Sequence, residues 1–198
     1  LIMDIIQSGK IVIEKEIQSL NNLKDNLGSS FARACQLIAA TKGRVVFLGL
    51  GKSGHVAKKC AATFSSLGTP SFFIHAAEAF HGDLGVIAAN DSLIALSFSG
   101  KTAEVLKAVD YCRQKNVVVI GISGDDASLL SQKSTVHINI GVKQEADHLQ
   151  VAPTASTTAM IALGDALASV VSEQKGFTQD NFHVFHPDGS LGQLLDNE

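Results

Sequence analysis

Val45-Val46-Phe47-Leu48-Gly49-Leu50-Gly51-Lys52-Ser53-Gly54 is a continuous apolar run that breaks into a glycine-rich turn. Apolar residues without alternation are what a central parallel strand shows when both of its faces are covered. The turn then marks the passage into a helix at the carboxyl edge of a sheet, where helix N-termini and free backbone N–H groups collect and anions are held. Similar apolar runs span Ser71 to Ile74, Leu93 to Leu96, Val117 to Ile122 and Val136 to Ile140. Helical patterns separate them: His55 to Ser66, Thr102 to Lys115, a short one from Asp126 to Gln132 and a long one from Ala155 to Lys175. Strands alternating with helices in this way predict an α/β fold: a doubly wound, five-stranded parallel sheet flanked by helices, with right-handed crossovers.

Upstream of the first strand, apolar residues from Met3 to Leu27 recur at helical spacing (Ile5, Ile6, Ile11, Val12, Ile17, Leu20, Leu23) and predict a long amphipathic helix that docks on another subunit. A second helix is expected over about Ser30 to Thr41, with Ser29 and Ser30 as caps and Gly43 as a stop signal. The tail after Phe177 reads as loop. With 198 residues and no shift in composition, residues 1–198 are expected to form one domain.

Composition narrows the partners. The net charge of -3 supplies no basic field for nucleic acid or an anionic membrane. The longest apolar helical run, Ala159 to Val171, carries Asp165 and reads as too short to span a bilayer. Leu1 to Ile6 are interrupted by Asp4 and lack a basic leader, so no secretory signal is expected. Cys35, Cys60 and Cys112, odd in number and widely spaced within helical patterns, are expected as buried free thiols in a reducing cytoplasm.

Two further stretches join the first: Ser97-Phe98-Ser99-Gly100-Lys101-Thr102 and Ala152-Pro153-Thr154-Ala155-Ser156-Thr157-Thr158. Each sits where an apolar run gives way to a helix. They place several hydroxyls and N–H donors at two helix starts, where a plain cap needs only one side chain. A small phosphorylated ligand suits that arrangement. Gly49, Gly51 and Gly54 also match the dinucleotide fingerprint, which keeps a nicotinamide or flavin enzyme open. Against it, the next strand ends in His75 instead of an acidic residue, and Lys52 puts a cation inside the turn. A nucleotide P-loop fails because position 46, which would need glycine, is Val46.

Ser97-Phe98-Ser99-Gly100-Lys101-Thr102-Ala103-Glu104 resembles the phosphosugar signature of sugar isomerase (SIS) domains. The run from Gly49 through Ala61-Ala62-Thr63-Phe64, Gly68-Thr69-Pro70-Ser71-Phe72-Phe73 and Ala77-Glu78-Ala79-Phe80-His81-Gly82-Asp83-Leu84-Gly85 is similar to the D-arabinose 5-phosphate isomerases. Ala152 to Ala159, Gly164-Asp165-Ala166-Leu167, His186-Pro187 and Leu191-Gly192 extend the likeness over nearly the whole chain. Phe98 stands where the signature usually has Asn, Asp147-His148 where Cys-Pro is usual, and Asp188 where Gly is usual.

The resemblance implies an aldose-ketose isomerase that interconverts D-ribulose 5-phosphate and D-arabinose 5-phosphate and supplies 3-deoxy-D-manno-octulosonate for lipopolysaccharide or capsule. It also implies a homotetramer with sites shared between subunits. Many members continue into a pair of CBS modules; this chain stops at Glu198, so regulation through such modules is not expected. A downstream acidic sugar or its nucleotide-activated form is then the expected inhibitor. A non-catalytic phosphosugar sensor is the alternative reading.

By the same resemblance, the functional lysine falls on Lys52, the acids on Glu104 and Glu145, and the histidines on His81 and His186. Of the acids, Glu145 reads as the better base, on a loop facing the anion sites. The histidines are expected to open the ring or carry a proton between oxygens. Phosphate is expected at Ser97, Ser99 and Thr102, with Gly51, Ser53 and Thr157 contributing from neighbouring turns. Enediolate chemistry needs a base and an oxyanion partner, so no cofactor and no required metal are expected. Were His81 and His186 to meet across a subunit interface, a transition metal held there would inhibit. His55, His75, His137, His148 and His183 are expected to be surface or packing residues.

Overall fold

The computed structural model describes residues 2–186. Strands β1 (Val45–Gly49), β2 (Ser71–His75), β3 (Ser92–Leu96), β4 (Val118–Ser123) and β5 (Val136–Asn139) form one sheet in the order β2-β1-β3-β4-β5. Every neighbouring pair is parallel. The helices are α1 (Ile2–Asn26), α2 (Ser29–Ala40), α3 (Gly51–Ser66), α4 (Ala103–Gln114), α5 (Leu129–Lys133), α6 (Ala155–Gln174) and α7 (Gln179–Phe185).

Alternation along β1 explains why its whole run had to be apolar. Val45 and Phe47 enter the core beneath α2, α3 and α6, while Val46 and Leu48 enter the core beneath α4. β1 and β3 are buried throughout. On the first face, Phe47 meets Phe64 of α3 edge-on at 5.0 Å between ring centres. α6 closes on α3 where a Cβ on Gly164 would stand 2.3 Å from Cys60 Sγ, so the small residue sets the approach of the two helices. Cys35, Cys60 and Cys112 are buried and free. Burial pushes the thiols of Cys60 and Cys112 up to about 12, which leaves them chemically quiet.

Element boundaries moved where capping differs from the pattern. α3 starts at Gly51 instead of His55, because the Gly54 N–H already donates to Leu50 O at 3.1 Å and the glycine turn is itself the first helical turn. α5 starts at Leu129, three residues later than expected: Asp125 Oδ1 takes the Ala127 N–H at 2.8 Å, and Ser128 then caps by accepting from Ser131 N–H at 3.2 Å. After Phe177 the expected loop gives way to α7. Thr178 and Asn181 exchange reciprocal capping bonds there, with Asn in the place of the usual Glu or Gln. Pro187, Asp188, Leu191 and Gly192 lie outside the described residues.

α6 also corrects an expectation. It is 20 residues long, enough by length and composition to cross a membrane, where the apolar run alone read as too short. Its apolar face is taken up by the core: Ala159, Met160, Leu163, Leu167 and Val171 are buried, with Ile161 and Val170 partly so. α1 is buried only at Ser19 and Leu23.

Candidate active site

The strand order puts the reversal of winding between β1 and β3. There the connections leave the sheet in opposite directions and open a crevice at the carboxyl edge. Gly49 and Leu96 are register partners, so the turn after β1 and the turn after β3 stand side by side across that crevice.

The first turn is shaped by glycines. A Cβ on Gly49 would lie 2.9 Å from Ser53 O, and one on Gly54 would lie 3.1 Å from Gly49 O, so strand and helix meet more closely than side chains allow. Gly51 has φ +56 and open space about it. Lys52 and Ser53 follow in the first turn of α3; Lys52 is exposed, Ser53 is half-buried, and neither side chain has a partner among the described residues.

In the second turn, buried Ser97 places its Oγ 2.8 Å from Thr102 Oγ1. Thr102 is the N-cap residue of α4 but makes no side-chain cap bond, since its hydroxyl is turned to Ser97. The first N–H groups of α4 therefore face the turn without a side-chain cap. Ser99 Oγ accepts from Lys101 N–H at 3.2 Å, and Gly100, at φ +62, closes the turn by donating to Ser97 O at 2.9 Å. Glu104, in the first turn of α4, is half-buried with no partner among the described residues.

Glu145 is arranged differently. Its buried carboxylate accepts from Thr154 N–H at 2.8 Å, Ser156 N–H at 3.1 Å and Thr154 Oγ1 at 3.2 Å on Oε2, and from Ser156 Oγ at 2.5 Å on Oε1. The head of α6, read from sequence as a cluster of donors for a ligand, is thus filled by an anion of the protein's own. Thr157 Oγ1 donates to Thr154 O at 2.9 Å.

The histidines divide. His81 is exposed in a 3-10 turn, Ala79–His81, that follows β2. His186 follows α7 as its C-cap residue, with its Nδ1 2.9 Å from Phe182 O and its ring stacked on Phe182 at 4.0 Å. α7 begins beside Phe177, whose ring occupies the space where a Gly68 side chain would be. Gly68 follows the far end of α3, and a 16-residue helix is about 24 Å long. Phe185, the last residue of α7, packs on Phe177 with ring centres 5.7 Å apart, so the adjoining His186 stays at the end of α3 away from Lys52. His75, not singled out by its sequence context, ends β2 in register with Gly49 and has a buried Nδ1 with no hydrogen-bond partner. Its place as the last residue of a strand at this edge was the available signal.

His137 lies away from the crevice on β5. Burial depresses its pKa from the ordinary 6.5, opposed by the nearby Asp126 carboxylate. A histidine that stays neutral when folded but protonates when unfolded contributes stability fully above about 6.5 and loses it as pH falls below that value. The urea midpoint is therefore expected to drop between pH 7.5 and 5.5 by more in the wild type than in His137→Gln. Equal drops would show that His137 carries none of the pH dependence.

A family model described as SIS domain matches residues 37–170. The chain is 45% identical over 193 residues to arabinose 5-phosphate isomerase KdsD of Pseudomonas aeruginosa, covering 98% of this chain and 59% of the relative. It is 42% identical over 192 residues to KdsD of Escherichia coli K12, covering 97% and 58%. The chain thus spans less than two thirds of the length of these curated relatives. Among solved structures, Escherichia coli CFT073 c3406 in complex with arabinose 5-phosphate superposes with a TM-score of 0.90 at 40% identity, covering 93% of this chain and 98% of that one. The Vibrio vulnificus NanR protein complexed with ManNAc-6P shares the fold at TM-score 0.79 and 20% identity, covering 93% and 70%. The phosphosugar signature at the β1/β3 crevice and the match over more than half the chain agree: the protein belongs to the SIS domain family.

Proposed function

We propose that this chain interconverts D-ribulose 5-phosphate and D-arabinose 5-phosphate through an enediolate. The observation that carries the reading is the pairing, across the β1/β3 crevice, of a Lys52 unpartnered among the described residues with a hydroxyl turn at an α4 start that has no side-chain cap. The relatives named above as arabinose 5-phosphate isomerases and the neighbour with that sugar bound support the choice of substrate.

In this reading the phosphoryl group sits on Ser97, Ser99 and Thr102, with Ser53, the Gly51 backbone and Thr157 nearby. Lys52 stabilises the oxygen that becomes negative as C1 or C2 loses its proton. Glu104, whose carboxylate has no partner among the described residues, moves that proton between the carbons. Glu145 holds the head of α6, since its carboxylate already accepts from the Thr154 and Ser156 N–H groups and from the Ser156 hydroxyl. His81 and the partner subunit's His186 serve ring opening and proton exchange between the oxygens. The remoteness of His186 from Lys52 within one chain supports a shared site in a homo-oligomer, a homotetramer by resemblance. So does the exposed apolar face of α1, where Ile5 is 72% and Ile13 61% accessible. A cytoplasmic role supplying 3-deoxy-D-manno-octulosonate follows from the substrate, with an acidic downstream sugar competing at the crevice.

Proton NMR of the purified protein with D-ribulose 5-phosphate in deuterated water tests this. Arabinose 5-phosphate labelled at C2 is the expected product. Saturable sugar-phosphate binding without product or label would make the chain a phosphosugar sensor.

A further inference from the structure

The segment after β4 carries no residue given a role in the reaction, yet the phosphate turn rests on it. Gly124 N–H donates to Phe98 O at 2.9 Å and Leu130 N–H donates to Gly100 O at 3.0 Å. A Cβ on Gly100 would stand 2.4 Å from Ser128 Cβ, so the turn is pressed directly on this support. The support is closed by Ser123, the wholly buried last residue of β4. Ser123 Oγ accepts from Asp125 N–H at 3.2 Å, donates to Asp125 O at 3.1 Å and lies 3.2 Å from Ser128 Oγ. His137 Nε2 is closer still, at 2.7 Å.

One hydroxyl proton cannot serve every acceptor around Ser123, so the imidazole decides where it points. With a proton on Nε2, His137 donates to Ser123 Oγ and frees the hydroxyl for Asp125 O. With the proton on Nδ1, 3.4 Å from Asp126 Oδ1, Ser123 must donate to Nε2 instead. Asp126 is fixed in turn by Asn139 Nδ2 at 2.8 Å. Ser123, His137 and Asp126 have the order of a hydrolytic triad, but Ser123 has no exposed surface through which a substrate could reach it.

We propose that His137 is a positioning residue for the Ser97–Thr102 turn, acting through Ser123 and Ser128, and that it governs affinity for the phosphoryl group, not the rate of proton transfer. The proposal rests on that turn being the phosphate site of the isomerase reading.

Steady-state isomerisation and calorimetric titration with arabinose 5-phosphate, on wild type, His137→Leu, His137→Gln and Ser123→Ala, test it. His137→Leu and Ser123→Ala are expected to raise KM and Kd about tenfold, the effect of one lost buried hydrogen bond, with kcat within about twofold. Competitive inhibition by inorganic phosphate should weaken by the same factor. His137→Gln, whose amide reaches toward Ser123, should restore most of the affinity. Unchanged KM and phosphate inhibition, or a fall in kcat alone, overturns the proposal. Should His137→Leu not fold, Ser123→Ala decides. If wild type binds the sugar without turnover, the isomerase reading fails, while the ratio of Kd values still decides the role of His137.

Discussion

Lys52→Ala is expected to lower kcat/KM for arabinose 5-phosphate by about a thousandfold, the scale of losing a preorganised oxyanion partner. The same substitution should hold the melting temperature level or raise it by about 1–2 °C, because a cation in the first turn of α3 opposes the helix dipole. Among the described residues, no carboxylate or carbonyl satisfies Lys52. A lysine at a helix N-terminus, exposed and without a partner among the described residues, is explained by a developing negative charge outside the protein. Thermal melts and kinetics on one preparation separate the alternatives. A melting temperature that falls by several degrees, with activity falling in proportion, would show a structural lysine. Wild-type kinetics would remove Lys52 from the mechanism altogether.

Most of the sheet could be read directly because its central strands β1, β3 and β4 are buried on both faces, so hydrophobicity alone outlines them. Val45 to Leu48 and Leu93 to Leu96 carry no polar residue that would blur the limits, and both lie within the observed β1 and β3. Boundaries set by side-chain capping were harder. Ser128, with Asp125 ahead of it, delays α5 through bonds visible only once the backbone is folded. α7 was missed because its cap pairs Thr178 with Asn181, a weaker signal than Thr with Glu, and because only seven residues follow.

The crevice itself was readable, since glycines at 49, 51 and 54 and hydroxyls at 97, 99 and 102 mark two strand-to-helix passages, and the strand order then places them together. Partnership was not. Thr154 and Ser156 look like ligand donors in sequence, and it takes the fold to turn Glu145 onto them across nine and eleven residues. The same limit applies to His137, an unremarkable strand residue until Ser123 and Asp126 are found on either side of its ring. His186 shows the converse: its motif is distinctive, but α7 packs at the end of α3 opposite Lys52, in a way no local pattern records.

The two glutamates are expected to respond oppositely to the same chemistry. Glu145→Ala strips the acceptor from two backbone N–H groups and two hydroxyls at the head of α6. Leaving buried donors unpaired in this way should cost about 3 kcal/mol and about 6–12 °C in melting temperature. Glu145→Gln is milder. Its carbonyl oxygen can take the Oε2 place and accept from Thr154 and Ser156 N–H, while its amide donates to Ser156 Oγ. That variant should melt within about 3 °C of wild type and keep activity within about tenfold. Glu104→Gln removes no cap and no bond among the described residues, so its stability should not change, yet kcat should fall by about 10² to 10⁴ if this carboxylate carries the proton between carbons. Deuterium exchange at C2 of arabinose 5-phosphate should fall with it, because exchange needs only the base. Were Glu145→Gln to melt normally and lose both turnover and exchange while Glu104→Gln kept them, the carboxylate at α6 would be the base. A ligand would then have to draw Glu145 away from Thr154 and Ser156 before reaction.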